Sequence, residues 1–238
     1  MSTTLTCIST GSVGNSFILD CNGEKLILEL GVRWKDILSA LDYRLDNAVG
    51  CLLSHRHVDH IKSVPNALSY GLPAYSSADV ASIYPKVKVV EPMKKYSIGG
   101  FMVTALPMEH NVECYGYVID HPDMGRLCFY TDTRSFNFKI PHVNFVLGEV
   151  NYSDNVILDN LCDGYDVRSQ YDNHMSLDTA ISVIHRLYSP ELSKVICCHL
   201  SDSNADENEI KRRFKSELGM EVEIAEGGKI FSLESCEF

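Results

Sequence analysis

The sequence predicts an α+β chain, a mixed system of β-sheets with helices packed outside it. Short apolar runs bounded by Gly, Pro, Asn or Asp recur along the chain in the manner of strands. They dominate the front, whereas strand-like and helix-like segments alternate at the back, an order that puts helices on sheet faces. No repeat, linker or composition break divides the 238 residues, so one domain over 1–238 is expected.

In order, residues 5–8 read as a first strand, followed by a small-residue turn over 9–16 that holds Gly11 and Gly14. Residues 16–20 and 25–29 read as a hairpin about Asn22-Gly23, a dipeptide that favours a type I′ turn. Helical spacing of Ile37, Leu38 and Leu41 predicts a helix over 32–41, with Arg33 and Lys35 exposed. A buried strand over 48–53 follows, then a helix over 61–70 ended by Gly71-Leu72-Pro73, a strand from 73, and a helix over 78–84. Strands are expected at 87–90 and 101–106 with a turn over 98–100 between them, then at 115–120, 126–131 and 143–150. Residues 152–173 are polar and give no pattern. A well-patterned amphipathic helix over 176–187 ends at Ser189-Pro190. A strand at 195–198, a helix over 205–218 and closing strands at 222–225 and 230–233 complete the chain.

Composition narrows the function classes. With 45% hydrophobic and 22% charged residues the chain reads as an ordinary soluble globular protein. No stretch nears the roughly 18 apolar residues of a membrane span, and the first eight residues lack the pattern of a secretory signal. Nine Cys without a Cys-x-x-Cys pair point to free thiols and a reducing cytoplasm. The net charge of −11 leans toward a small or short substrate rather than long nucleic acid held by a basic face. Two bound divalent cations would add four positive charges at one spot and offset that leaning.

The chemistry concentrates in Ser54-His55-Arg56-His57-Val58-Asp59-His60, directly after the strand at 48–53. In extended backbone, residues two apart point the same way, so His55 and His57 can reach one ion together. Asp59 and His60 can reach a second ion beside it, as in two-metal hydrolytic sites with ions about 3.5–4 Å apart. Seven residues cannot fill two coordination spheres. His110, Asp132 and His199 each follow an apolar run, where open sheets build their sites. Singly, each could equally be a cap or a satisfied polar group.

Together these residues resemble the metallo-β-lactamase superfamily, whose His-x-His-x-Asp-His motif is His55, His57, Asp59 and His60 here, with His110, Asp132 and His199 at its later positions. The resemblance implies an αββα four-layer sandwich. It implies that His55, His57 and His110 hold one metal, that Asp59, His60 and His199 hold the other, and that Asp132 bridges both. Two divalent ions, Zn or Mn with Fe also compatible, are the implied cofactors. Glu29 stands where the family usually has an aspartate supporting a ligand.

Gly11-Ser12-Val13-Gly14-Asn15 and His199-Leu200-Ser201-Asp202-Ser203-Asn204 resemble loops of the WalJ/YycJ-like branch, and His57 departs from the glutamate of the diiron redox branch. Gly148-Glu149-Val150-Asn151-Tyr152 and His174-Met175-Ser176 look like the paired Glu and His motifs of tRNase Z-type phosphodiesterases. By that resemblance Asp59, Glu149 and His174 are the catalytic residues, with His174 a general acid oriented by Glu149; the plainer reading of His174 is a residue at a helix edge capped by Asn173 or Ser176. Two metals would supply a hydroxide that attacks phosphorus. The expected function is a dinuclear phosphodiesterase or nuclease acting on nucleic acid or a small nucleotide, without a membrane partner. Alternatives are a cyclic-nucleotide phosphodiesterase, an acyl or thioester hydrolase, and a non-catalytic binding module. A homodimer is left open. Arg33, Lys62 and Arg134 are candidate phosphate contacts, although a solvated surface charge is the plainer reading of each.

Overall fold

The computed structural model describes residues 3–234. One seven-stranded sheet runs β14-β1-β2-β3-β4-β5-β6, formed by β1 (Thr3–Ser9), β2 (Ser16–Cys21), β3 (Glu24–Leu28), β4 (Ala48–Leu52), β5 (Ala74–Ser76), β6 (Lys88–Val89) and β14 (Ile230–Ser232). The other runs β13-β12-β11-β10-β9-β8-β7, from β7 (Lys95–Ile98), β8 (Phe101–Met108), β9 (Cys114–His121), β10 (Gly125–Tyr130), β11 (Phe145–Glu149), β12 (Lys194–Cys198) and β13 (Glu223–Ile224). Pairing from β3 to β6 and from β10 to β13 is parallel, which aligns the carboxyl ends of these strands along one edge.

Strand alternation divides the apolar residues among three cores. Phe17 and Leu19 of β2, Leu127 and Phe129 of β10 and Ile196 of β12 face the space between the sheets, with Leu5, Tyr117 and Phe231. Their neighbours Cys128, Val195 and Cys197 face outward to helices α7 (Leu177–Leu187) and α8 (Glu207–Leu218), which contribute Ile181, Ile184, Ile210 and Phe214. Across the molecule Ile18, Ile27 and Cys51 meet α1 (Trp34–Ala40), α2 (Val58–Ile61), α3 (Val64–Ser69) and α4 (Ala78–Ile83) through Ile37, Ile61, Ala67 and Val80. The result is an αββα sandwich.

Three sequence expectations need correction. The helix expected over 61–70 is two short helices, α2 starting inside the ligand motif and α3 starting at Val64, because Pro65 has no N–H to continue the first and suits the first turn of the second. The strand near 87–90 does not turn at 98–100 into the strand at 101. Lys95–Ile98 forms β7, which makes the antiparallel hairpin with β8 across Gly99 (φ +57°), while β6 closes the other sheet. The unpatterned stretch 152–173 holds α5 (Asp154–Cys162) and α6 (Arg168–Asn173), packed by a small cluster of Tyr152, Ile157 and Val167. The cap of α7 is Ser176, whose hydroxyl accepts the Thr179 N–H, rather than Asn173. The eight described cysteines are free and all but Cys162 are buried; Cys236 lies outside the described residues. Among the described residues no helix is long and apolar enough to cross a membrane.

Candidate metal centre

The carboxyl edge of both sheets delivers the candidate ligands. His55 stands three residues past β4, Asp132 two past β10 and His199 one past β12. His110 follows β8, and α2 carries Asp59 and His60 on its single turn. Asp132, His199 and Glu29 all have left-handed backbone (φ +46°, +55° and +67°), conformations that cost an L-residue energy and here fall just past strand ends.

Donor atoms of His55, His57 and His110 converge within 4.8 Å of one another. His55 Nε2 lies 2.8 Å and His110 Nε2 3.3 Å from His57 Nδ1. The backbone carbonyl of Asn173 accepts from His110 Nδ1 at 3.2 Å, which leaves the Nε2 lone pair facing the cluster. Burial holds the His55 imidazole well below its usual pKa and lowers that of His110, so both favour the neutral form that ligates metals.

A second group joins Asp59, His60, Asp132 and His199. His60 Nε2 lies 2.5 Å from Asp132 Oδ2 and 3.3 Å from Asp59 Oδ2, and His199 Nε2 lies 3.3 Å from Asp132 Oδ1. Burial alone would depress His60, but the carboxylates of Asp132 and Glu29 lift it well above its usual value. Burial would likewise raise Asp132, and His199 and His60 instead hold it well below the ordinary carboxylate range.

These residues fit divalent cations by a test internal to the protein. Asp132 Oδ2 and His199 Nε2 are buried and make no hydrogen bond of acceptable geometry among the described residues. Buried polar atoms rarely go unpartnered, and atoms that approach closely without hydrogen-bond alignment aim at a shared point instead. Nitrogen and carboxylate donors with open sides are the donor set of hydrolytic Zn or Mn sites.

The third convergence is Glu149 with His174. Glu149 is fully buried; its Oε2 accepts the Thr133 N–H at 2.7 Å and its Oε1 lies 2.6 Å from His174 Nδ1. Asp132 Oδ1 is 3.2 Å from the same nitrogen, and the His174 ring stacks on His199 at 5.2 Å. Burial opposes protonation of His174, yet Glu149 and Asp132 raise its pKa to about 10. His174 keeps 16% of its side chain exposed, so this ring reaches the open side of the cluster.

Glu29 Oε1 accepts the Ser54 N–H at 3.0 Å, and Oε2 faces His60 Nδ1 at 3.4 Å. The longer carboxylate thus spans the gap from the strand end to the ring. Sequence reasoning missed two further braces. Asn15 lies 3.1 Å from His60 Nε2 and closes its own loop through Gly11, and Asn151 Nδ2 donates to the His199 carbonyl at 2.9 Å. Both sit in stretches already marked by resemblance, which was the available signal. Of the candidate cations, Arg33 pairs with Asp36, whereas Lys62 and Arg134 have no ion-pair partner among the described residues.

Known proteins align with this arrangement at two levels. No protein-family model matches the chain. Ribonuclease Z of Clostridium kluyveri is 25% identical over 128 residues, 44% of this chain and 42% of that protein. Exodeoxyribonuclease WalJ of Streptococcus pneumoniae is 34% identical over 74 residues, 29% of this chain and 28% of that protein. The chain therefore aligns with less than half the length of these relatives. The metallo-β-lactamase fold protein YhfI of Bacillus subtilis superposes with a TM-score of 0.77 at 18% identity, covering 98% of this chain and all of that one. The chain has the metallo-β-lactamase fold.

Proposed function

We propose that residues 1–238 act as one unit, a dinuclear metal-dependent phosphodiesterase of nuclease type. The observation that carries this reading is the Glu149–His174 pair, hydrogen-bonded at 2.6 Å and set against Asp132 beside two clusters of metal-type ligands. Its direction agrees with the two partial relatives, which are named as a ribonuclease and an exodeoxyribonuclease.

In this reading His55, His57 and His110 would hold one cation and Asp59, His60 and His199 the other, with Asp132 serving both. When bound, two divalent ions supply Lewis acidity toward a phosphoryl group and a water activated near neutral pH. The chain's own contribution is orientation and proton transfer. Glu29 and Ser54 fix the His60 ring, and the Asn173 carbonyl fixes that of His110, so that each turns one nitrogen toward the cluster. Glu149, itself anchored by the Thr133 N–H, accepts from His174 Nδ1 and leaves Nε2 to hand its proton to the departing oxygen. Asp59 is the more exposed of the two carboxylates of the second group.

The experiment is a hydrolysis screen of protein loaded with Mn²⁺ or Zn²⁺ against bis(p-nitrophenyl) phosphate, DNA, RNA, cyclic nucleotides, a lactone and a glutathione thioester. Phosphodiester cleavage is expected. Turnover of the lactone or thioester alone would assign acyl chemistry instead.

A further inference from the structure

A cleft of about 320 Å³ opens beside the ligand turn, lined by Ser9 and Val13 on one side and by Val32, Arg33, Asp36 and Lys62 on the other. One lining residue continues the segment that carries candidate ligands, and the others are bonded to it through their neighbours. Lys62 lies two residues beyond His60, and its N–H donates to Val58 in the turn that presents Asp59. The Leu30–Val32 strip on the same side is bonded to that turn, with the Leu30 N–H on the His60 carbonyl at 2.8 Å and the Ser63 hydroxyl on the Val32 carbonyl at 2.5 Å. Gly31 between them is so close that a Cβ would stand 1.6 Å from the Asp59 carbonyl oxygen. On the first wall Asn15 donates its N–H to that same Asp59 carbonyl at 2.8 Å and reaches His60 with its side chain.

The cleft is positive on an otherwise acidic protein. Arg33 and Lys62 face it against one carboxylate, Asp36, which Arg33 alone holds by two hydrogen bonds of 2.9 Å. Lys62 is thereby left over, an exposed ammonium without an ion-pair partner among the described residues, on a chain of net charge −11. Val13, 75% exposed where it lines the cleft, offers an apolar contact rather than a charge. A polynucleotide strand presents that alternation, an anionic phosphate, then sugar and base, then the next phosphate.

We infer that this cleft takes the phosphate next to the scissile one, which makes the substrate an oligonucleotide strand rather than a cyclic mononucleotide. This assignment rests on the phosphodiesterase reading above. A cyclic mononucleotide has a single phosphate, which the ligand cluster would occupy, and leaves nothing for Lys62 to hold.

The test measures KM of the Mn²⁺-loaded full chain for a fluorescent single-stranded oligonucleotide across a salt series, alongside hydrolysis of bis(p-nitrophenyl) phosphate by the wild type. Lys62→Glu is expected to raise the oligonucleotide KM about fivefold or more and to flatten its log–log salt dependence by about 0.7, the share of one single-strand phosphate contact. Lys62→Arg should keep both values, which separates lost charge from lost folding. Arg33→Gln should act in the same direction more weakly, since Asp36 already engages that guanidinium. Unchanged KM and salt slope in Lys62→Glu would overturn the inference while wild-type cleavage of bis(p-nitrophenyl) phosphate leaves the phosphodiesterase reading standing. A wild type that cleaves neither substrate would remove that reading and this inference with it.

Discussion

Replacing His174 by Ala separates proton transfer from metal binding. His174 Nδ1 is 2.6 Å from a fully buried Glu149 and 3.2 Å from Asp132, so the ring is held by two carboxylates while part of its edge stays open. A positioned general acid contributes about 10²–10⁴-fold, or ~3–5 kcal/mol of barrier at 1.36 kcal/mol per tenfold. That stabilisation matters only where the departing oxygen is basic. The assay is therefore kcat on a dinucleotide, whose leaving group is a sugar hydroxyl, against kcat on bis(p-nitrophenyl) phosphate, whose phenolate leaves without a proton. His174→Ala should lose about 10²–10⁴-fold on the first and less than about tenfold on the second, with metal content unchanged. An equal loss on both substrates would refute the acid role. Loss of metal would instead make His174 a ligand, which its convergence with Asp132, Glu149 and His199 within 4.8 Å permits geometrically.

Other perturbations read other parts of the site. Asp132→Ala removes the carboxylate that touches His60, His174 and His199, and should lower metal content measured by plasma mass spectrometry while the fold persists by circular dichroism. Gly31→Ala forces a Cβ into the Asp59 carbonyl; since overpacking costs about 1–3 kcal/mol or more, a lower Tm and weaker metal retention should appear together. Burial pushes the thiols of Cys7, Cys21, Cys128 and Cys197 up to about 12, so in a Cys236→Ser background only Cys162 should react quickly with an aromatic disulfide reagent at pH 8.

The parts legible in the sequence are those where local pattern and final environment agree. His55-Arg56-His57 follows a strand closely, and although the chain bends at Arg56 and His57, His55 and His57 still meet at 2.8 Å. The apolar runs of β2, β10 and β12 are buried on both faces and kept their pattern because each face meets its own core. Lys95–Ile98 carried no such pattern. It is an edge strand with one well-buried residue, and it exists because β8 offers it a partner. Helices α5 and α6 were unreadable for a related reason, since α5 buries Ile157 as its one core residue and α6 buries none, so packing around Tyr152 rather than periodicity holds them. Asn15 and Asn151 could not be found by spacing, because they approach His60 and His199 across 45 and 48 residues of sequence.

Activity titrated against added metal tests the two-ion phosphodiesterase most directly. Chelator-stripped protein at a concentration well above the metal Kd should gain hydrolysis of bis(p-nitrophenyl) phosphate as Mn²⁺ is added and reach its plateau at about two equivalents per chain, the number that a His₃ cluster and an Asp₂His₂ cluster sharing Asp132 would hold. A plateau at one equivalent, or no hydrolysis at any loading, would contradict it.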